Sequence, residues 1–355
     1  QYTYQQLQAL AAQPQIEQAL VVASFSLFDA LKRLQQSTAS SARTERTYAS
    51  LLRYITRMST RPTPFGLFAG IALGEFASET KVQMATPSVE RIRTRPDMNW
   101  LLSILQKVEE TPALVSQLYV YVNQTMYSAG GRIMLPFADT YGTQDNRTIS
   151  LRATAVVRKA LELARSTILY SDLRTALLQT YPRATEQQID RLLWQLWENR
   201  FLISNLHPPL TDASPAEYVY KQLKSVHGAE EICEKLRTVL VEIAALDDAG
   251  IGAPVKLFHT LAQSQEQLVP NEEKKLQAQV DTALHLQSPE LNWSIGNVAA
   301  QAAEILLRMT PIPEGPQQLQ EYRTLFLEQY GENVEVPLLD LLSPENGLDA
   351  PPGYN

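Results

Sequence analysis

The chain has 355 residues, of which 45% are apolar and 19% are charged, and its formal net charge is −7. This length exceeds one small core, so two or three sub-domains are expected. The negative charge argues against a generally basic nucleic-acid-binding protein, although clustered arginines can still create a local positive patch. Cys233 is the only cysteine, which excludes a disulfide framework and indicates a reducing cytoplasm. No stretch approaches the ~18 consecutive apolar residues of a membrane-spanning helix, and we see no signal peptide.

Residues 5–60 predict helices, and the last of these helices carries three arginines at a spacing of four. Arg53, Arg57 and Arg61 therefore share one helical face. Like charges one turn apart repel unless an anion lies between them, and Glu45 is the only acid in this helical stretch. The anion is then either a carboxylate on a neighbouring element, which would make the cluster structural, or a ligand.

The arginine helix is predicted to end at Pro62 and Pro64, after which Leu67–Phe76 predicts an apolar strand. Further along, Asp97 precedes a predicted helix around Trp100–Glu109. An aspartate at this position accepts backbone N–H bonds as an N-cap and is favoured by the helix dipole. A purely structural interpretation of Asp97 is therefore that it caps this helix.

Residues 126–207 have the pattern of a separate module. Gly130 and Gly131 turn a predicted hairpin, which is followed by three helices and the closing strand FLISNL. The third helix, Thr185–Arg200, opens with a capping box and carries apolar residues at i, i+3, i+4 and i+7. This order of elements is typical of a winged helix-turn-helix.

The charges of the third helix argue against DNA as the ligand of this module. It carries three acidic and two basic residues, which are Glu186, Asp190, Glu198, Arg191 and Arg200. Such a surface is poor for phosphates. A peptide that adds a strand to an exposed edge and packs apolar side chains against this helix fits better. A purely structural module is the alternative.

The remaining sequence again predicts helices, at residues 215–226, 229–246, 272–287, 293–309 and 316–330. Ser214–Glu217 predicts a second capping box, and Val255–Thr260 predicts a strand. The four histidines are scattered without metal-ligand spacing, so no metal ion is expected. Phosphate-binding glycine loops and nucleophile elbows are absent from the sequence.

Five segments, in the same order, resemble the N-terminal part of lantibiotic dehydratases, the class I lanthipeptide dehydratases. The first is R-x-x-x-R-x-TPFGLFAG, which begins at Arg57, and the second is R-x-D-x-x-W-L, which begins at Arg95. The third is the G-x-R-I strand at Gly130–Ile133, and the fourth is NRFLISNLHPPL. The fifth is FLEQYGENVEVPLLDLLSPENGLDAPPGYN, at the end of the chain. The similarity thus runs over essentially the whole sequence.

This resemblance implies an enzyme that transfers glutamate from glutamyl-tRNA to Ser and Thr hydroxyls of a ribosomally made precursor peptide. In the family, a separate C-terminal domain then eliminates the glutamate to leave dehydroalanine or dehydrobutyrine. The resemblance implies a cytoplasmic protein with no bound cofactor, with glutamyl-tRNA as co-substrate and the precursor peptide as partner, and with neither DNA nor a membrane span. A homodimer and a partner cyclase are further expectations.

The resemblance also implies the residues of the site. Arg57 and Arg61 match paired arginines of the family and are expected to hold acceptor-stem phosphate and the oxyanion. Thr63 and Asp97 match nearby polar positions and are expected to orient groups by hydrogen bonds. We expect the leader peptide to add a strand beside Arg147–Arg152. The expected leader contacts are Arg132, which would bind an acidic leader residue, and Ile149, Leu151, Leu177, Tyr181 and Leu192.

The sequence departs from the family pattern in two ways. Val255–Thr260 lacks the aspartate that relatives commonly carry in the strand expected there. The first arginine-containing strand of the family, the second half of its glutamylation domain and its elimination domain are not in the sequence, so we expect a fragment that is inactive alone. The alternatives are a peptide aminoacyl-tRNA ligase, which adds an amino acid to a peptide's C-terminus, and a leader-binding protein without catalysis.

We therefore predict an α+β fold of several sub-domains, with an embedded winged helix-turn-helix-like module for peptide recognition. Residues 1–125 are expected to form the N-terminal part of the glutamylation domain. Residues 126–210 are expected to form the precursor-peptide recognition element, and residues 211–355 an α-rich, truncated continuation of the glutamylation domain.

Overall fold

The computed structural model describes residues 3–36, 41–136, 138–142, 148–270, 275–310 and 315–351. The helices in these ranges are α1 (Tyr4–Ala11), α2 (Pro14–Ala23), α3 (Phe25–Gln36), α4 (Ser41–Thr60), α5 (Met98–Glu109), α6 (Pro112–Val115), α7 (Ala155–Leu163), α8 (Tyr170–Thr180), α9 (Glu186–Glu198), α10 (Pro215–Leu223), α11 (Glu230–Ala249), α12 (Val255–Leu268), α13 (Trp293–Arg308), α14 (Gln317–Tyr330) and α15 (Leu338–Leu341). The strands are β1 (Glu75–Ala77), β2 (Lys81–Pro96), β3 (Tyr119–Val122), β4 (Tyr127–Ala129), β5 (Arg132–Leu135), β6 (Ile149–Arg152), β7 (Ile168–Leu169), β8 (Leu202–Ser204) and β9 (Ala278–Asn292).

The strands form three small sheets. Their orders are β1-β9-β2, β7-β3-β8 and β4-β5-β6. The two long strands, β2 and β9, pair antiparallel, and β1 runs parallel to β9. The other two sheets are antiparallel throughout. This mixture of helices and mainly antiparallel sheets agrees with the predicted α+β class.

The main hydrophobic core is built around α5. Trp100, Leu101, Ile104 and Leu105 of this helix are each at most 1% exposed, and they belong to one cluster with side chains of the predicted module and of α10–α12. The Trp100 Nε1–H donates a hydrogen bond to the Gln265 carbonyl oxygen at 3.1 Å. Helix α5 is therefore fixed along its length, with Asp97 at its N-terminus.

Helices α1–α4 form a second, smaller core. Tyr48, Leu51 and Ile55 bury one face of α4 against this core, together with Phe68 of the following loop. Because these residues lie at i, i+3 and i+7, the arginines of α4 face away from the core. The shared arginine face predicted from the sequence follows directly from this packing.

Several predicted elements are confirmed. Asp97 caps α5, and its Oδ1 accepts the Asn99 backbone N–H at 2.8 Å. Gly130 and Gly131 turn the β4–β5 hairpin with φ values of +53° and +75°, which glycine adopts readily. The three module helices α7–α9 are present, and the capping box at Thr185 is formed. The winged-helix assignment and the boundaries after residues 125 and 210 stay predictions.

The predicted strand Leu67–Phe76 is wrong for most of its length. Only β1 at its end is a strand, and the rest is irregular chain with isolated bridges, such as Ile71 to Ala283. A Cβ at Gly70 would lie 2.7 Å from the Thr282 carbonyl oxygen. The glycine therefore allows this loop to lie directly against β9, where it does not form a regular strand.

Two further predictions exchanged helix and strand. Val255–Thr260 is not a strand but the start of α12, in which Phe258, Leu261, Gln265 and Leu268 are buried at a spacing of three or four. Residues 278–287 of the predicted helix 272–287 belong to β9, and residues 271–274 lie outside the described residues. The Ala, Leu and Gln of this segment favour helix locally, but long pairing with β2 outweighs that preference.

The predicted capping box at Ser214–Glu217 is also wrong. Ser214 is the N-cap of α10, but its side chain forms no capping hydrogen bond, and Pro215 occupies the first helical position. The sequence pattern is right, but the backbone of Ser214 (φ −134°, ψ 69°) is away from the extended geometry that places a capping hydroxyl. The first N–H groups of α10 therefore lack a side-chain cap.

Helices α13 and α14 contribute no buried residue. Val298, Ile305 and Leu306 of α13 are all more than half exposed, and they lie on one apolar stripe of the helix. Apolar burial within the described chain therefore contributes little to the stability of these two helices. No helix in the described ranges combines the length and the apolar character needed to cross a membrane.

Candidate functional site

A cavity of about 600 Å³ between α3 and α4 is lined by four arginines, which are Arg43, Arg46, Arg53 and Arg57. We call it the arginine cavity. Five of its other lining side chains carry a hydroxyl group, and no described residue in the lining carries a carboxylate. Four positive charges around one space repel one another. The arginine cavity is therefore suited to an anion with more than one charge.

Among the described residues, no carboxylate compensates the charge of these arginines. Arg53 Nη2 donates to the Ser50 hydroxyl at 3.3 Å, which brings no negative charge. The Arg57 guanidinium lies over the Phe65 ring at 4.4 Å, and its buried Nε forms no hydrogen bond. Within the described ranges, none of Arg53, Arg57 and Arg61 forms an ion pair with a carboxylate. The structural alternative, pairing with carboxylates of a neighbouring element, is not found there.

The stacking of Arg57 on Phe65 joins the arginine cavity to a second one. This cavity, of about 320 Å³, is lined by the loop 64–66 together with Arg93 and Asp281, and we call it the loop cavity. Arg93 and Asp281 are directly opposite in the β2–β9 pair, so their side chains share one face of the sheet. The Asp281 carboxylate also binds Arg95 Nη2 at 2.6 Å. The loop cavity thus contains the Asp281 carboxylate, which Arg95 orients and which lies opposite Arg93.

The predicted catalytic residues are only partly brought together. Arg57 contacts the loop after α4, whereas Arg61 and Thr63 are exposed at the end of α4 and just beyond it. Asp97 is exposed as well, and in the described part of the chain no hydrogen bond or ion pair joins it to Arg57, Arg61 or Thr63. Its neighbours Pro96 and Met98 line a third cavity, which also contains Arg93. Arg93 therefore connects the surroundings of Asp97 to the loop cavity.

Sequence reasoning missed Asp281, Arg43 and Arg46. The signal for Asp281 was the alternation in QVDTALHL, which predicts a strand once it is read with a period of two. An aspartate of the family pattern was expected at residues 255–260, but this segment is the start of a helix. The carboxylate that faces the loop cavity is that of Asp281 on β9. The two arginines carry no motif, and only the packing of α3 against α4 places them in the cavity.

The residues predicted for the leader peptide lie around the β4-β5-β6 sheet. Strand β6 is an edge strand of this sheet, with no partner beyond it among the described residues; Arg147 lies outside them. Arg132 donates from Nε and Nη2 to the Ser150 hydroxyl at 3.0 and 2.7 Å. Ile149 and Leu151 are partly buried against the main core. Among the described residues, the outer edge of β6 is therefore unpaired.

The predicted apolar contacts for the leader differ in exposure. Tyr181 and Leu192 are partly buried and border the main core, so part of each side chain remains accessible. Leu177 is fully buried and is not accessible for direct contact in this structure, so its assignment to the leader site stays a prediction. Its position on α8 was correctly taken as apolar, but the core already covers it.

A buried carboxylate that the sequence did not reveal lies at the C-terminal end of α5. The Glu109 side chain is 1% exposed and accepts hydrogen bonds from the Ser204 and Tyr141 hydroxyls, while His207 Nε2 lies 3.3 Å away. Arg200 lies 3.8 Å from the carboxylate and stacks over the Tyr141 ring at 4.5 Å. Glu109 therefore ties α5 to the chain on both sides of the β6 edge strand.

The pKa of Glu109 results from two opposing effects. Burial alone would raise this pKa, but the hydrogen bond and positive charge of His207, with the bonds from Ser204 and Tyr141, offset burial and hold the pKa below its ordinary value. Burial and the nearby Glu109 charge raise the pKa of Tyr141. Tyr141 thus remains a hydrogen-bond donor to an ionised carboxylate.

Among the described residues, no group of three His, Cys, Asp or Glu side chains is placed to hold a metal ion. The polar chemistry in the cavities is that of guanidinium, hydroxyl and carboxylate groups. Such groups bind anions, orient hydroxyls and stabilise negative charge that develops during acyl transfer.

Comparison with known proteins gives a consistent assignment. Residues 12–355 match the family described as lantibiotic dehydratase, N terminus. The subtilin biosynthesis protein SpaB of Bacillus subtilis is 29% identical over 306 residues, which cover 86% of this chain and 29% of SpaB. The epidermin biosynthesis protein EpiB of Staphylococcus epidermidis is 23% identical over 336 residues, which cover 94% of this chain and 33% of EpiB. The chain thus spans about a third of the length of these curated relatives.

Among solved structures, the tRNA-dependent lantibiotic dehydratase MibB of Microbispora sp. 107891 is 30% identical and superimposes with a TM-score of 0.84. The match covers 98% of this chain and 34% of MibB. The glutamylation domain TbtB from thiomuracin biosynthesis has the same fold at a TM-score of 0.67 and 18% identity, with 94% of this chain and 40% of TbtB covered. On the extent of the family match, the chain belongs to the lantibiotic dehydratase family, of which it contains the N-terminal part.

Proposed function

We propose that this chain forms part of an enzyme that transfers glutamate from glutamyl-tRNA to Ser and Thr hydroxyls of a ribosomally made precursor peptide. The observation that carries the proposal is the arginine cavity, whose lining, as far as the chain is described, has four guanidinium groups and no carboxylate. Membership of the lantibiotic dehydratase family supports it, as do the description of MibB as tRNA-dependent and that of TbtB as a glutamylation domain.

The end of a tRNA is a polyanion, and guanidinium groups bind its phosphate oxygens with charge-assisted hydrogen bonds. An overall negative protein repels RNA at long range, so the binding must come from local positive charge. The arginine cavity supplies such a patch on α4, directly before the loop that lines the loop cavity. We place the 3′-terminal phosphates at the arginine cavity and the ester at the loop.

The chemical step exchanges one ester for another. A peptide hydroxyl oxygen attacks the glutamyl carbonyl carbon, the bond to the tRNA ribose oxygen breaks, and the proton of the hydroxyl passes to that ribose oxygen. Because the driving force is small, positioning and stabilisation of the oxyanion dominate the rate. Arg57 and Arg61 are assigned to phosphate and oxyanion, and Thr63 and Asp97 to orientation. Asp281 joins them as a carboxylate in the loop cavity.

The edge strand β6 is the proposed binding site of the leader peptide. A peptide that adds a strand there satisfies its backbone hydrogen bonds on β6 and packs apolar side chains near Tyr181 and Leu192. Arg132 stays assigned to an acidic leader residue, because its guanidinium is exposed on the neighbouring strand β5. A homodimer and a cyclase partner stay predictions.

Replacement of Leu192 with Asn is expected to weaken leader binding by roughly tenfold, because the loss of a partly buried leucine surface costs on the order of 1–2 kcal/mol. The matched control is Arg191→Asn, at an adjacent and exposed position of the same helix, which should leave affinity unchanged. Fluorescence anisotropy with a labelled leader peptide measures both. Equal affinities for the two variants would contradict a leader site at this helix.

Co-expression of the complete gene product with the precursor peptide tests the reaction itself. Mass spectrometry of the peptide is expected to show glutamyl adducts at Ser and Thr, or the loss of water that follows elimination. Addition of a whole amino acid at the C-terminus would instead identify a peptide aminoacyl-tRNA ligase on the same scaffold. An unmodified peptide that still binds the protein would identify a leader-binding protein without catalysis.

A further inference from the structure

The register of β5 and β6 decides which backbone groups of β6 point to its outer edge. The Ala153 N–H donates to the Gly131 carbonyl oxygen at 3.0 Å, so these two residues, which lie just outside the paired strands, form a hydrogen-bonded pair. Hydrogen-bonded pairs recur at every second residue of an antiparallel ladder. Ile149 and Leu151 therefore bond to β5, and the backbone N–H and C=O groups of Ser150 point to the outer edge.

Both carbonyl oxygens of β6 that point outward already accept a hydrogen bond. The Arg152 oxygen accepts the Thr154 backbone N–H at 2.8 Å. The Ser150 oxygen accepts Arg132 Nη2 at 3.0 Å. The first bond is held by the backbone at the start of α7, whereas the second comes from an exposed side chain that can change rotamer without any change of fold. A strand that pairs with β6 therefore competes with Arg132 for the Ser150 oxygen.

Three hydrogen bonds hold Arg132 at this position. Besides the bond to the Ser150 carbonyl oxygen, its Nε and Nη2 donate to the Ser150 hydroxyl at 3.0 and 2.7 Å. Arg132 is directly opposite Arg152 in the register, so its guanidinium reaches diagonally across the sheet to Ser150. Arg132 thus covers part of an edge to which any extended chain could otherwise add.

Arg132 and Arg152 also bring two positive charges to one face of the sheet. Residues directly opposite in an antiparallel pair have side chains on the same face, where like charges destabilise the pair. In the part of the chain that the structure describes, neither guanidinium forms an ion pair with a carboxylate. A carboxylate on an added strand would compensate both charges. It is also a stronger acceptor for a guanidinium than the hydroxyl and carbonyl oxygens of Ser150.

We infer that Arg132 blocks the β6 edge and that a carboxylate of the incoming leader strand, placed beside Arg132 and Arg152, releases the block. The inference rests on the proposed function, because this edge is the proposed leader site. An ordinary ion pair would only increase the affinity for an acidic leader. A blocking arginine also decreases the affinity for a neutral strand, because that strand gains the Ser150 oxygen only by displacing Arg132 without compensation. Arg132 is therefore a residue that determines which strands the edge accepts.

Two fluorescent leader peptides test this inference on the complete gene product. One has the parent sequence of the leader, and in the other each Asp is replaced by Asn and each Glu by Gln. The parent protein is expected to bind the acidic leader at least ~5-fold more tightly than the neutral one. Arg132→Met keeps the unbranched stem and loses the donors, so it is expected to bind the neutral leader roughly threefold more tightly than the parent protein does, which is the effect of about one exposed hydrogen bond. Fluorescence anisotropy measures all four affinities.

Two matched variants separate the block from the charge. Arg152→Met loses the same charge on the same face but frees no acceptor of β6, so it is expected to weaken binding of the acidic leader and leave that of the neutral one unchanged. Ser150→Ala removes the hydroxyl that accepts two of the three bonds of Arg132, so a smaller gain for the neutral leader is expected. Thermal unfolding checks that each variant keeps the fold of the parent protein.

The outcomes separate this inference from the proposed function. Equal affinity of the neutral leader for the parent protein and for Arg132→Met would overturn the inference, as would a gain of the same size in Arg152→Met. Failure of the parent protein to bind either leader would overturn both the inference and the proposed leader site. If Arg132→Met gains affinity as expected but no glutamyl adduct forms on the co-expressed peptide, the inference stands and the transfer proposal fails. If adducts form and Leu192→Asn weakens leader binding while Arg132→Met changes nothing, the proposed function stands and the inference fails.

Discussion

Replacement of Arg57 with Ala in the complete gene product is expected to reduce glutamyl transfer by at least ~100-fold, because one well-placed charge-stabilising donor is worth a factor of this order. Arg57 lines the arginine cavity and also stacks on Phe65, so the change removes a charge and a support of the loop. Single-turnover transfer from labelled glutamyl-tRNA to the precursor peptide measures the effect. Arg61→Ala is expected to act in the same direction.

Two further variants separate the contributions of Arg57. Arg57→Lys keeps the charge but loses the planar stacking on Phe65, so an intermediate rate is expected. Arg191→Ala removes an exposed arginine of α9, outside the arginine cavity, and should leave the rate unchanged. Thermal unfolding of all three variants controls for loss of fold. Transfer by folded Arg57→Ala within twofold of the parent rate would refute the role assigned to this residue.

What the sequence predicted well is what local periodicity encodes. The arginines of α4 share a face because a spacing of four returns to the same side of a helix, and Asp97 caps α5 because of its place before the first turn. Both inferences need fewer than ten neighbouring residues. The four helices before residue 61 and the helices of the module were predictable for the same reason.

What the sequence could not show depends on long-range pairing. Asp281 faces the loop cavity because β9 pairs with β2, almost 190 residues earlier in the chain, and no local pattern specifies that register. The composition of β9 favours helix while its alternation favours strand, and pairing with β2 decides between them. Arg43 and Arg46 likewise join the site through the packing of α3 on α4.

Burial is the other quantity that local pattern misjudged. Leu177 was expected beside the leader peptide, but side chains from other parts of the chain already cover it completely. Glu109 lies at the end of an ordinary amphipathic helix, where a carboxylate is normally solvated. Only the fold brings Ser204, Tyr141 and His207 around it.

Replacement of Glu109 with Gln is therefore expected to lower the free energy of unfolding by about 3 kcal/mol at neutral pH. The change removes the negative charge that compensates Arg200 and leaves donors from Ser204 and Tyr141 facing an amide. Urea unfolding followed by circular dichroism measures the difference. Glu110→Gln is the matched control, because Glu110 is adjacent but exposed, and a change below about 0.5 kcal/mol is expected there.

The pH dependence gives the same prediction a second and independent readout. The folded pKa of Glu109 lies below the ordinary value of 4.5, so its contribution to stability is fully present above that value. The contribution is lost as the pH falls through the depressed folded pKa, where the carboxylate takes up a proton. The difference between the parent and Glu109→Gln should accordingly shrink on acidification below about pH 4.5. A difference that stays constant down to pH 3 would show that the destabilisation comes from altered packing and not from the charge of Glu109.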